Sequence, residues 1–246
     1  MKSLRDLLDD HEPAWPLVKE WISQAKCPVE ILPASDPQRA EALVATQVTT
    51  RSPMGAVIYE TGGLLVDHGW LRVLGSGHLR LPRSLPEWNR HCTGFGSEPP
   101  PGLFLIADDV IGGLFAIDGG ALGIGQEQVG YFAPDSLKWE GTSLKYSGFI
   151  DWCLSGKLGE YYKDYRWTGW EKDLKSLPGD RGYSIAPPPI FKGVPFIERN
   201  RKAILMKELY GFYQDLAKQI ADAPDGSEII LRVKGKESAG NEGRTA

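Results

Sequence analysis

Apolar residues recur at three- and four-residue intervals at the start of the chain. Leu4, Leu7 and Leu8 make a short stripe, and Leu17, Val18, Trp21, Ile22 and Ala25 a longer one, the spacing with which an amphipathic helix turns one face inward. Pro16 suits the first turn of the longer helix, where its missing amide breaks no internal bond, and Pro28 marks the far end. Val29–Leu32 reads as a short strand. Ser35 or Asp36 is placed to cap the next helix, with Pro37 in its first turn and Ala40, Leu43 and Val44 on one side.

After Val48 the period shortens. Ala56–Tyr59, Gly62-Gly63 and Leu64–Val66 predict two strands around a glycine turn, and Trp70–Leu74 a further strand. A short helix is expected from Ser84 through Asn89. The glycine- and proline-rich run 94–102 then reads as a loop and a candidate hinge. Leu103–Ala107 and Gly113–Asp118 predict paired strands around a turn begun by Asp108-Asp109, with short strands again at Val129–Phe132 and Ser136–Trp139. Ser147 is a candidate cap for a helix that carries Phe149, Ile150, Cys153 and Leu154 inward and ends near Gly156. A second helical turn bears Tyr161 and Tyr162. Beyond Trp170 the chain reads as irregular through the triple proline at Pro187–Pro189. The longest helix is expected over 198–222, with Ile204, Leu205, Leu209, Phe212, Leu216 and Ile220 on one face. A last strand is expected at 228–233 and a mobile polar tail at 234–246. Strands gathered in the middle with helices at the ends predict an α+β fold, a mostly antiparallel central sheet in a single domain over 1–233.

Composition narrows the function classes. An apolar fraction of 41% is that of a folded chain, and a net charge of −4 lacks the basic face that binding to nucleic-acid phosphates requires. No apolar run approaches the roughly 20 residues that span a bilayer, and the opening MKSLRDLLDDHEP is acidic where a signal peptide is basic, so a cytoplasmic protein is expected. Cys27, Cys92 and Cys153 are odd in number and far apart, and His91-Cys92 lacks further paired ligands, so neither a disulfide framework nor a metal site is expected.

The candidate chemistry sits among acids and aromatics. Asp67-His68, and Glu87 with His91, are the local acid–histidine pairs, but no nucleophile motif accompanies them, and Ser76 between Gly75 and Gly77 does not form a G-x-S-x-G elbow. Asp108, Asp109, Asp118, Asp135 and Glu140 match no calcium loop, and turn chemistry is the plain reading of such aspartates because their side chains bond nearby amides. Glycines 112, 113, 119, 120, 123 and 125 follow no phosphate-loop pattern, so no cofactor is expected. Tyr161, Tyr162, Arg166, Trp167 and Trp170 are residue types enriched both in cores and in interface hot spots.

The runs GLFLIADDVIGGLFAID, VGYFAPDSLKWE and YSGFIDWCLSGKLGEYYKDYRWTGW are similar to those of a bacterial family known only as domain-of-unknown-function family 2625. More distantly, the order strand, acidic turn, glycine, strand, Tyr/Phe-led helix resembles the SUKH superfamily, several members of which are immunity proteins that neutralise toxins exchanged between bacteria. The long addition after Trp170 departs from a minimal SUKH domain. The resemblance implies a SUKH-like α+β fold and a non-enzymatic binding protein. Its partner would be a basic toxin, met by Asp108, Asp109, Asp118, Tyr161, Tyr162, Arg166, Trp167 and Trp170. Two other readings stand beside it: a small-ligand binder or enzyme with a pocket near His68, Asp108 and Asp118, and a structural or regulatory adaptor.

Overall fold

The computed structural model describes residues 1–91 and 102–221. The candidate hinge, apart from Gly102, and both the strand and the tail expected beyond residue 221 lie outside the described residues. In chain order the first elements are α1 (Leu4–Leu7), α2 (Trp15–Ser23), β1 (Val29–Pro33), α3 (Gln38–Thr46), α4 (Pro53–Glu60), β2 (Thr61–Val66), β3 (Leu71–Leu74) and α5 (Leu85–His91). There follow β4 (Leu103–Asp109), β5 (Leu114–Asp118), β6 (Val129–Ala133), β7 (Lys138–Gly141), α6 (Tyr146–Leu154), α7 (Lys157–Tyr161), α8 (Trp170–Ser176), β8 (Arg181–Ala186), β9 (Asn200–Leu205) and α9 (Met206–Ala221).

Strands β1 to β7 form one antiparallel sheet in sequence order, and β8 pairs with β9 in a separate ribbon, so the fold is α+β as the pattern predicts. Because side chains alternate along a strand, the register sorts them into two faces. Leu64, Val73, Ala107, Phe115 and Tyr131 follow one another across the sheet, and the Phe115 ring packs at a tilt against Phe149 of α6, centroids 4.9 Å apart. Leu65, Arg72, Asp108, Leu114 and Phe132 occupy the other face, where Arg72 reaches Met206 of α9 and the Arg181 carbonyl of β8. The sheet is therefore covered on both sides, and its central strands β2 to β6 are almost wholly buried.

Several elements differ from the expected ones. Residues 53–60 are a helix, not the first strand of a hairpin. Ser52 Oγ accepts the Gly55 amide at 3.0 Å and Pro53 opens the first turn, while Gly55–Ile58 are buried all round, which erases the polar face that would betray a helical period. Gly62 and Gly63 lie inside β2. A Cβ on Gly62 would stand 2.6 Å from the Gly77 carbonyl oxygen, so close backbone approach accounts for that glycine.

The expected long helix begins as strand β9, because Asn200–Leu205 find hydrogen-bond partners in β8, and turns helical only at Met206. The stretch after Trp170 holds α8 and β8 and becomes irregular only at the prolines. Helix α6 starts at Tyr146 after Lys145, without the Ser147 cap, and Pro37 itself occupies the cap position of α3. The pair Asp108-Asp109 closes β4, and the turn follows it at 110–113. The last meander strand is Lys138–Gly141, two residues later than expected.

Candidate functional site

The central acids prove to be interior anchors. Asp108, Asp109 and Asp118 are buried, which corrects the expectation that they face a partner. Asp108 accepts from Arg72 Nε at 2.6 Å and is also paired with Arg83, whose Nη2 donates to the Gly179 carbonyl at 2.7 Å. Burial opposes its ionisation, but the two guanidiniums outweigh that cost and hold its pKa below the usual carboxylate value.

Asp109 lies on the opposite face. Its Oδ1 accepts the Ile111 and Gly113 amides at 3.0 and 2.8 Å, and its Oδ2 accepts the Tyr131 and Tyr162 hydroxyls at 2.7 and 2.9 Å. Burial nevertheless raises its pKa, outweighing those donors. Asp118 gathers the amides of Gly120, Leu122 and Ile124 and so folds the glycine-rich loop around its carboxylate; the Leu122 amide leads in lowering its pKa. Asp109 and Asp118 thus perform the turn chemistry read from sequence, whereas Asp108 is part of an arginine cluster that sequence reasoning missed. Its signal was a charged Arg72 inside the otherwise apolar LRVL strand.

The aromatic string divides in the same way. Trp70, Tyr162, Trp167 and Trp170 pack together, with Trp70 at 5.3 to 5.7 Å from the other three rings. Arg166 pairs with Asp67 and lies over the rings of Trp170 and Trp70 at 4.2 and 5.3 Å. Tyr162, Trp167 and Trp170 are therefore core, and Arg166 is mostly covered, which corrects their placement on a contact surface.

Tyr161 is the member of the group that remains outside, 45% exposed. It stands edge-on to Trp152 at 5.3 Å and to Tyr131 at 5.9 Å. Burial of its ring raises the Tyr161 pKa, with Asp109, Glu140 and Asp135 adding to the rise. Tyr165 donates to Asp135 at 2.5 Å and meets Phe196 edge-on at 5.2 Å, next to the exposed Ile197. Tyr161 and Tyr165 lie near each other, with Asp135 and Glu140 near Tyr161 and Phe196 against Tyr165, a partly exposed aromatic cluster edged by carboxylates.

The Asp67-His68 pairing considered from sequence is not assembled. Asp67 is engaged by Arg166, and His68 is turned edge-on to Trp170 at 5.7 Å. Ser76 is buried and donates to the Thr61 carbonyl at 2.9 Å. Glu87 accepts from Ser84, and the His91 side chain lies outside the described residues. His68, Asp108 and Asp118 do not converge. Asp108 pairs in register with Leu114 and Asp118 with Leu103, so the two acids sit toward opposite ends of the β4–β5 pair. Among the described residues no cluster of three or more His, Cys, Asp and Glu side chains is gathered to hold a metal ion, and no helix is long and apolar enough to cross a membrane. A concavity of about 760 Å³ opens between the start of α3 and the start of α5. Glu41, Glu87, His78 and Arg90 line it with mixed charge.

A family model described as a protein of unknown function, DUF2625, matches residues 4–209. A putative uncharacterized protein, YbfG, of Escherichia coli strain K12 is 41% identical over 211 residues, which cover 85% of this chain and 94% of that protein. An uncharacterized protein of Haemophilus influenzae strain Rd is 38% identical over 187 residues, covering 76% and 82% respectively. No solved structure matches the chain.

Proposed function

We propose, for a chain that belongs to the DUF2625 family of proteins of unknown function, that it is a cytoplasmic, non-enzymatic binding protein. Its Tyr161 face holds a basic protein partner, in the manner of an immunity protein that neutralises a toxin. One observation carries the reading: Tyr161 is half exposed on a base of Trp152 and Tyr131, with Asp135 and Glu140 beside it. A rigid aromatic anchor loses little conformational entropy on binding, and flanking carboxylates steer a cationic partner into register. The net charge of −4 acts in the same direction at longer range. The SUKH-like order of strand, acidic residues, glycine and strand around Asp108-Asp109 supports the toxin as the class of partner.

The test is co-expression with a basic toxin encoded beside the gene, together with titration of the purified pair. Protection of the cells, and a Kd weakened roughly 30-fold or more by Tyr161→Ala, a loss typical of an anchor side chain, are the expected results. Failure of the wild-type protein both to protect and to bind would sink the immunity reading. Unchanged affinity in Tyr161→Ala would remove this face as the contact.

A further inference from the structure

We infer that the pocket between the β2–β3 turn and α8 is a binding site for a phosphate-sized oxyanion, with His68, Arg80 and Lys175 as its cationic wall. The pocket encloses about 210 Å³ and is lined by Glu30, His68, Arg80 and Lys175 over the apolar floor of Val29 and Leu65. A smaller recess shares Leu65, His68 and Arg80 with it and is also lined by Arg72. Glu30, the carboxylate of this lining, is paired with Arg80 and offsets its charge, so the positive excess facing the cavity comes from Lys175 and the protonatable His68. This is a local reversal of sign in a chain of net charge −4.

The interior behind the pocket adds to that charge. Arg72 and Arg83 share the single carboxylate of Asp108 on this face of the sheet, so the buried cluster carries one positive charge in excess. Low-dielectric surroundings screen such a charge poorly, and its field is felt at the recess that Arg72 lines. An anion there offsets a charge that the fold itself leaves unbalanced.

The wall is also held in place. Asp67 and His68 both take left-handed backbone conformations, φ 51° and 59°, and Arg166 pins Asp67 while the Asp67 amide donates to the Pro28 carbonyl at 2.7 Å. His68 rests edge-on against Trp170, the first residue of α8, the helix that also bears Lys175. The volume accommodates a phosphate and a small organic group attached to it. Both free phosphate and a phosphomonoester present the same oxyanion to these residues.

Calorimetric titration of the full-length protein with inorganic phosphate, and separately with phosphoserine, at constant ionic strength tests this. A saturable single site is expected, with affinity lowered about tenfold in Lys175→Ala and in His68→Asn, as loss of a charged hydrogen bond produces. Asparagine tolerates the left-handed backbone at position 68, so that variant separates loss of the imidazole from loss of the turn. Arg51→Ala, which removes a cation paired with Glu12, serves as the charge control and should bind like wild type. Tighter binding of phosphoserine assigns the site to phosphomonoesters, and tighter binding of phosphate assigns it to the free ion. Absence of saturable heat up to about 10 mM of either, a weak limit on the affinity scale, overturns the proposal. So does equal weakening in Arg51→Ala.

Discussion

Asp108 and Asp109 are adjacent in β4 and serve opposite faces of the sheet, one carboxylate clamped by Arg72 and Arg83, the other placed under the hydroxyls of Tyr131 and Tyr162. Strand alternation makes this unavoidable once both residues lie within the strand. The two acids consequently fasten different layers to the sheet. Asp108 ties it through Arg83 to Gly179 and through Arg72 to Arg181, while Asp109 ties it to β6 and to the residue that follows α7.

Removing Asp108 strands two buried guanidiniums. Asp108→Ala is expected to cost about 3–5 kcal/mol, the range for breaking a buried ion pair by deleting one partner. Urea unfolding measures it, and a loss below about 1 kcal/mol, the scale of an exposed pair, would show that the cluster is not held as described.

The two acids give opposite dependences on pH. Burial raises the Asp109 pKa, so the stability it contributes is fully present below 3.8, its ordinary value, and is lost as pH rises through the raised value. Asp108 is held low by its arginines against the cost of burial, so its contribution is present above 3.8 and is lost as pH falls through the lowered value. Stability relative to wild type should therefore improve with rising pH for Asp109→Asn and worsen with rising pH for Asp108→Asn. Urea midpoints measured between about pH 3 and pH 7, a span that brackets ordinary carboxylate titration, read both trends, and parallel curves would contradict them.

Gly113 is fixed by close approach, not by its backbone angle. A Cβ there would collide with Asp109 Oδ2 and with the Tyr131 hydroxyl, so Gly113→Ala should displace that hydrogen bond and cost about 1–3 kcal/mol, as overpacking does. Tyr131→Phe in the same background should recover part of the loss by removing one clashing atom. Thermal unfolding of the single and double variants decides it.

Arg166 joins the β2–β3 turn to the tryptophan cluster. Arg166→Met keeps much of the aliphatic stem but leaves Asp67 unpaired and forfeits the cation–ring contacts with Trp170 and Trp70, and a loss of about 2 kcal/mol is expected. Adding Asp67→Asn should restore stability in part. Chemical denaturation of the four-member cycle measures the coupling, and strictly additive losses would refute it.

The sequence alone determined the antiparallel meander and the entry into it. Alternation and glycine-bounded turns around 103–132 are local properties, and so are the amide-binding roles of Asp109 and Asp118, whose partners lie within six residues. The family, too, was legible in the motifs. Tertiary structure decided what local pattern could not. Residues 53–60 are helical although burial on every side hides the helical period, and 200–205 are extended because β8 is there to pair with them. Which aromatics face solvent was decided in the same way. Tyr161 and Tyr162 are chemically alike and adjacent, yet the first is half exposed and the second is buried against Trp70 and Asp109. The arginines that hold Asp108 come from positions 25 and 36 residues away in sequence, a separation over which only the folded chain brings charges together.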